Sequence, residues 1–181
     1  AQTMPSHSLM LGKNDNSISN DLARMKGARL VVTNELPEGR CFNEETIKLL
    51  TSQDQIVSRF LYGEYFQFKP THKLIIIGNH KPKIIGQDYG IWRRVKLVPF
   101  NTIIPEEERD KDLGKKLAKE KEGIFRWMVE GAIKWFQNKG LPDPEFVKES
   151  VLEYKQDMDG IGDFINEACS KYQSALCLAS D

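Results

Sequence analysis

The residues able to do chemistry in this chain cluster at the ends of apolar runs. Glu35 follows, with Asn34, on the run Arg29-Leu30-Val31-Val32-Thr33. In α/β sheets, ligands sit at the carboxyl ends of parallel strands. A glutamate there can polarise a water or help to hold a magnesium ion. Asn79 closes a second run, Leu74-Ile75-Ile76-Ile77-Gly78, in the same way. An amide both donates and accepts, so it can orient a water or touch a phosphate. Trp92-Arg93-Arg94 leads a third run, Arg94 to Phe100. A guanidinium at such a point can stabilise charge on a transferred phosphoryl group. Each residue has a plain alternative as a loop residue or a surface ion pair. The pair of runs ending in Glu and Asn says more than either end alone.

A second kind of chemistry is polyanion binding. The chain carries 26 Lys+Arg against 26 Asp+Glu, which excludes a uniformly basic nucleic-acid binder. The balance is uneven, however: residues 56–100 hold eight basic and two acidic side chains. Such a stretch attracts polyanions. It also holds Tyr62, Tyr65, Phe66 and Phe68 on an expected hairpin, where bases of a single strand could stack. Arg59, Lys69, Lys73, Lys81 and Lys83 are the candidate phosphate contacts, and Glu64 lies at the tip, Tyr62-Gly63-Glu64-Tyr65. Alternatively, the phenylalanines face a core and the lysines face solvent. His7, His72 and His80 are not spaced with Cys, Asp or Glu for a metal, and no Gly-x-Ser-x-Gly turn supports acyl transfer.

These residues need elements to hold them. Residues 1–18 read as a polar loop, and Asn20 to Lys26 as a short helix stopped by Gly27. Leu30 to Thr33 reads as a buried strand, followed by a turn at Pro37-Glu38-Gly39. Asn43 is the expected N-cap of a helix to about Thr51, with Glu44 and Glu45 in its first turn. Ile56 to Lys69 reads as a β-hairpin around Gly63-Glu64. Leu74 to Ile77 and Arg94 to Phe100 read as a second buried strand and a third. Beyond Pro105 the chain becomes helical. Glu106 to Lys121 is densely charged, and Ile124, Trp127, Met128, Ala132, Ile133 and Phe136 form a stripe closed by Gly140. Pro142 and Pro144 start another helix containing Phe146, Val147, Val151, Leu152 and Tyr154. Gly160 and Gly162 separate it from a last helix beginning near Phe164. The expected fold is α/β first and all-helical second, with a boundary near Asn101.

With 181 residues, 40% of them hydrophobic, the chain is long enough for one domain with an appendage. No run approaches the roughly 18 apolar residues of a membrane span, and no signal-peptide pattern opens the sequence. Cys41, Cys169 and Cys177 are too scattered for a disulfide framework or zinc site, so a reducing cytosol fits best.

The order of the pieces resembles a known family. Asn20 to Val32 leads into Glu35, and Lys48-Leu49-Leu50-Thr51-x-x-Asp54 into Arg59-Phe60-Leu61-Tyr62-Gly63-Glu64. Gly78-Asn79-His80-Lys81-Pro82 and Gly90-Ile91-Trp92-Arg93-Arg94-Val95 follow. Over about residues 18–160 this resembles the helicase part of phage and plasmid primase–helicases, related to the poxvirus primase-helicase. These are superfamily 3 helicases with an AAA+-like core. The resemblance implies a partial core of parallel strands with an inserted hairpin over 1–101, a helical region over 102–160, and the start of a further module over 161–181. It implies that Asn34-Glu35 ends a Walker B strand, with Glu35 activating the attacking water and holding Mg2+ of Mg-ATP. Asn79 then matches the sensor asparagine near the γ-phosphate. Arg94, with Arg93 as second choice, matches the arginine offered to a neighbour's ATP. The implied partners are single-stranded DNA in a ring channel and further copies of the chain, as a hexamer. The implied setting is the cytoplasm of a bacterium carrying a phage, plasmid or integrated element.

The sequence departs from the family in lacking G-x-x-x-x-G-K-[ST], whose backbone N–H groups cradle the phosphates. At Gly12-Lys13, Asn14 replaces the Ser/Thr and His7 stands where the first glycine belongs. The expectation is a fragment of an ATP-driven helicase that begins after the P-loop helix, inactive by itself. The alternatives are a non-catalytic DNA-binding or oligomerisation module, and a structural relic.

Overall fold

A computed structural model describes residues 1–12 and 20–169. Lys13 and Asn14, Cys177 and the end of the expected last module lie outside them.

Among the described residues, the first unit comprises 1–12, 20–96 and 151–169. Its centre is β2 (Leu30–Asn34), whose β-branched residues favour a pleated strand. Val31 and Thr33 are fully buried. Strand β2 pairs in parallel with β1 (Gln2–Thr3) on one side and β5 (Lys73–Ile77) on the other. The α/β class and the parallel strands agree with the sequence reading.

Between β2 and β5 lie α2 (Glu44–Leu50) and the hairpin β3 (Ile56–Ser58) and β4 (Phe66–Phe68). The Asn43 side chain accepts the Thr46 N–H at 3.0 Å, so the helix starts at the expected cap. Ile47 and Leu50 turn its apolar side into the core. The hairpin is antiparallel, with Ile56 opposite Phe68 and Ser58 opposite Phe66.

Several expectations need correction. The expected opening loop contains β1 and a 3-10 turn, Ser6–Leu9, because Met4, Leu9 and Met10 bury there. The first short helix, α1 (Asn20–Ala23), ends early, and turns carry the chain to Gly27 at φ 74°. Strand β5 is not buried: Ile75 and Ile77 are 46% and 57% exposed. Arg94 to Phe100 is not a strand; its first residues close a turn after α3 (Tyr89–Trp92). An extended run becomes a strand only by pairing, and none of the described strands pairs with it.

The second unit, Leu97–Ser150, is helical. It holds α4 (Leu113–Lys119), α5 (Lys121–Gln137) and the start of α6 (Glu145–Asp157). The apolar stripe on α5 forms at the expected positions, yet no α5 residue is buried. Helix α7 (Gly160–Ala168) begins earlier than expected. Its cap is Asp159, which accepts the Gly162 N–H at 2.9 Å, so both glycines lie within the helix.

Candidate functional site

Parallel register brings the first two candidates to one end of the sheet. Asn34 lies opposite Ile77, and the Glu35 N–H donates to the Ile77 carbonyl at 3.1 Å, extending the ladder by one bond. Glu35 therefore faces Gly78, and Asn79 follows one residue later. The Leu36 side chain packs close against Gly78. Leu36 is buried, and a Cβ on Gly78 would lie 3.2 Å from its Cγ. A larger side chain at 78 would require the Leu36 side chain to give by a few tenths of an ångström. Glu35 itself adopts φ 57°, a left-handed conformation that turns the chain away from the sheet. Asn34, Glu35 and Asn79 are all exposed, so carboxylate and amides meet solvent at the carboxyl edge.

The arginine pair is anchored separately. Asp88 caps α3 by accepting the Ile91 N–H at 3.2 Å, and Ile91 and Trp92 bury beneath it. Trp92 Nε1 donates to the Gly86 carbonyl at 2.9 Å. Arg93 is exposed, its guanidinium 5.8 Å from the Tyr89 ring centroid. Arg94 is half-buried; one guanidinium nitrogen donates to the Gly90 carbonyl, and its buried Nε has no partner among the described residues. Of the two, Arg93 is presented outward and Arg94 is turned back on its own helix.

A clamp that sequence reasoning missed fixes α3 to α2. Lys48 Nζ lies 2.9 Å from Asp88 Oδ2 and 3.7 Å from Glu44 Oε2. Glu44 Oε1 accepts the Gly86 N–H at 2.6 Å. The hydrogen bond between Lys48 and Asp88 raises the lysine pKa and lowers that of the carboxylate. Partners 40 residues apart leave no local signal in the sequence.

At the hairpin, Tyr62 is 98% exposed at φ 62°, with Leu61 and Glu64 also exposed. Arg59 stacks over Tyr65 at 4.9 Å, and Lys26 over Phe66 at 4.6 Å. Phe66 packs between Phe60 and Phe68, with centroids 5.7 and 6.1 Å away. Phe68 is buried and Phe60 is not, so only part of the aromatic set faces inward. The candidate phosphate contacts lie on several segments. Lys69 follows β4, and Lys73 opens β5 at the end opposite Asn79. Lys81 and Lys83 follow the strand's exit, in the segment after Asn79. Lys81 is ion-paired to Asp157 at 2.9 Å.

Among the described residues, no group of three His, Cys, Asp or Glu side chains could hold a metal ion. No described helix is long and apolar enough to cross a membrane.

A carboxylate and an amide at the carboxyl edge of parallel strands, an exposed arginine and an aromatic hairpin are what this α/β chain presents. No protein-family model matches it. It is similar to "Putative helicase L207/L206" of Acanthamoeba polyphaga mimivirus, 30% identical over 168 residues, covering 83% of this chain and 17% of that protein. It is also similar to "Putative helicase 022R" of Frog virus 3 (isolate Goorha), 29% identical over 184 residues, covering 91% of this chain and 19% of that protein. The chain thus spans under a fifth of the length of these curated relatives. Both are viral proteins whose source names point to an amoeba and a frog, which lends no support to the expected bacterial setting.

Proposed function

We propose that this chain is the Walker B, hairpin and sensor portion of an ATP-driven ring helicase of superfamily 3 type that opens viral DNA for replication. The observation that supports it most is the register of β2 and β5, which brings the strand ends leading into Glu35 and into Gly78-Asn79 to one carboxyl edge of the parallel sheet. Similarity to part of two viral proteins named as helicases points the same way.

In this reading Glu35 accepts the proton of the attacking water. Asn79 donates an amide N–H towards the γ-phosphate. Arg93 or Arg94 reaches the ATP of a neighbouring copy and offsets charge there. Arg94 must then give up its bond to the Gly90 carbonyl. One exposed carboxylate beside two amides suits Mg2+, which keeps waters and takes further ligands from substrate phosphates. The ion, arriving with the nucleotide, would neutralise charge on the phosphates. The far edge of β5 is unpaired among the described residues and exposes Ile75 and Ile77. An unpaired edge offers backbone groups to a further strand, and in this reading that strand is the one carrying the phosphate cradle.

The experiment is strand displacement from a forked duplex by the full-length parent protein. ATP-dependent displacement that a non-hydrolysable analogue does not support is expected. Displacement without hydrolysis, or none with ATP, would refute the reading.

A further inference from the structure

The last turns of α6 hold the candidate site from behind. Tyr154 is buried, 2% exposed. Its hydroxyl donates to the Pro82 carbonyl, and its ring meets Trp92 edge-on with centroids 5.4 Å apart. Lys81 Nζ lies 5.5 Å from the same ring and pairs with Asp157. Gln87 Nε2 donates to the Met158 carbonyl at 3.3 Å. Burial pushes the Tyr154 hydroxyl pKa up, so the group stays protonated and remains a donor.

These contacts touch the chain at two places that matter. Lys81 and Pro82 come two and three residues after Asn79. Trp92 directly precedes Arg93. We propose that Tyr154 is a positioning residue that ties the Asn79 loop to the arginine helix α3, so that the two shift as one body. A subunit that senses its own phosphate through Asn79 would thereby reset the arginine it offers to the next subunit. The functional half of this link rests on the ring-motor reading; the mechanical half does not.

The hydroxyl is what distinguishes a link from mere packing. A phenylalanine would fill the same space against Trp92. The Pro82 carbonyl is on a buried residue, however, and would lose its partner. A buried acceptor without a donor is costly, so the tyrosine holds the loop where an apolar ring would only touch it.

Hydrogen–deuterium exchange on the full chain tests the mechanical half. Tyr154→Phe should raise exchange in residues 79–86 and in residues 88–95 together, leaving the hairpin 56–68 unchanged. Asp157→Asn should do the same more weakly. A rise confined to α6, or to only one of the two segments, would overturn the link. In the parent protein Tyr154→Phe should lower kcat for ATP about tenfold, as expected for one buried hydrogen bond, with KM unchanged. The double variant with Asn79→Ala should then be no slower than Asn79→Ala alone. Multiplicative losses would overturn the coupling. Coupled exchange with full ATPase in both single variants would instead refute the ring-motor reading and leave the mechanical link standing.

Discussion

Glu35 adopts a left-handed backbone that non-glycine residues avoid, at a cost on the order of 1–3 kcal/mol. The surrounding contacts hold it there: the bond to Ile77 on one side and buried Leu36 against Gly78 on the other. The sequence showed the strand and the acid after it, because β-branched residues and a polar stop are local signals. It could not show the left-handed turn at Glu35, which no local residue pattern signals. His72 illustrates a different residue-scale effect. It is buried with neither ring nitrogen bonded among the described residues, and burial lowers its pKa. The folded state therefore favours the neutral ring, while the unfolded chain binds its proton near the ordinary value of about 6.5. Stability from this group is complete above that pH and is lost as pH falls towards the lowered folded value. Denaturant midpoints at pH 7.5 and 5.0 should show the fall, and His72→Gln should reduce it. An equal fall in the variant would assign the effect to other groups.

Elements were legible where one segment carried both pattern and punctuation. Asn43 with two glutamates behind it announced α2, and the aromatic run around Gly63 announced the hairpin. Strand β1 was not legible, since two residues make no pattern; it exists because Met4 buries beside β2. The segment after Arg94 failed for the opposite reason, having strand-like residues but no described partner. On α5 the stripe was legible but its cover was not: Trp127 is 73% exposed. The hairpin carries the prediction at this scale. Tyr62 projects fully into solvent, so Tyr62→Ala should leave the fold intact and weaken single-stranded DNA binding by about 1–3 kcal/mol, the range for one stacked base. Fluorescence anisotropy with an oligothymidine probe measures it. Unchanged affinity would remove the tip from the DNA contact.

For the whole molecule, the arginine pair and the carboxyl-edge site serve different nucleotides in the ring reading. Arg93→Ala and Arg94→Ala subunits of the parent should then lack ATPase alone and regain part of it when mixed with wild-type subunits. Arg93, exposed, should show the larger rescue, because its loss disturbs no bond within its own helix. A failure of mixing to restore any activity would place the arginines in their own subunit's structure instead.

The central claim is that Glu35 activates water for attack on ATP. Its most direct test is steady-state ATP hydrolysis by the full-length parent protein, wild type against Glu35→Gln, with ATP binding measured alongside. The account predicts retained binding and turnover lower by about 10²–10⁴-fold, the usual worth of a general base. Turnover equal to wild type with ATP still bound would contradict it.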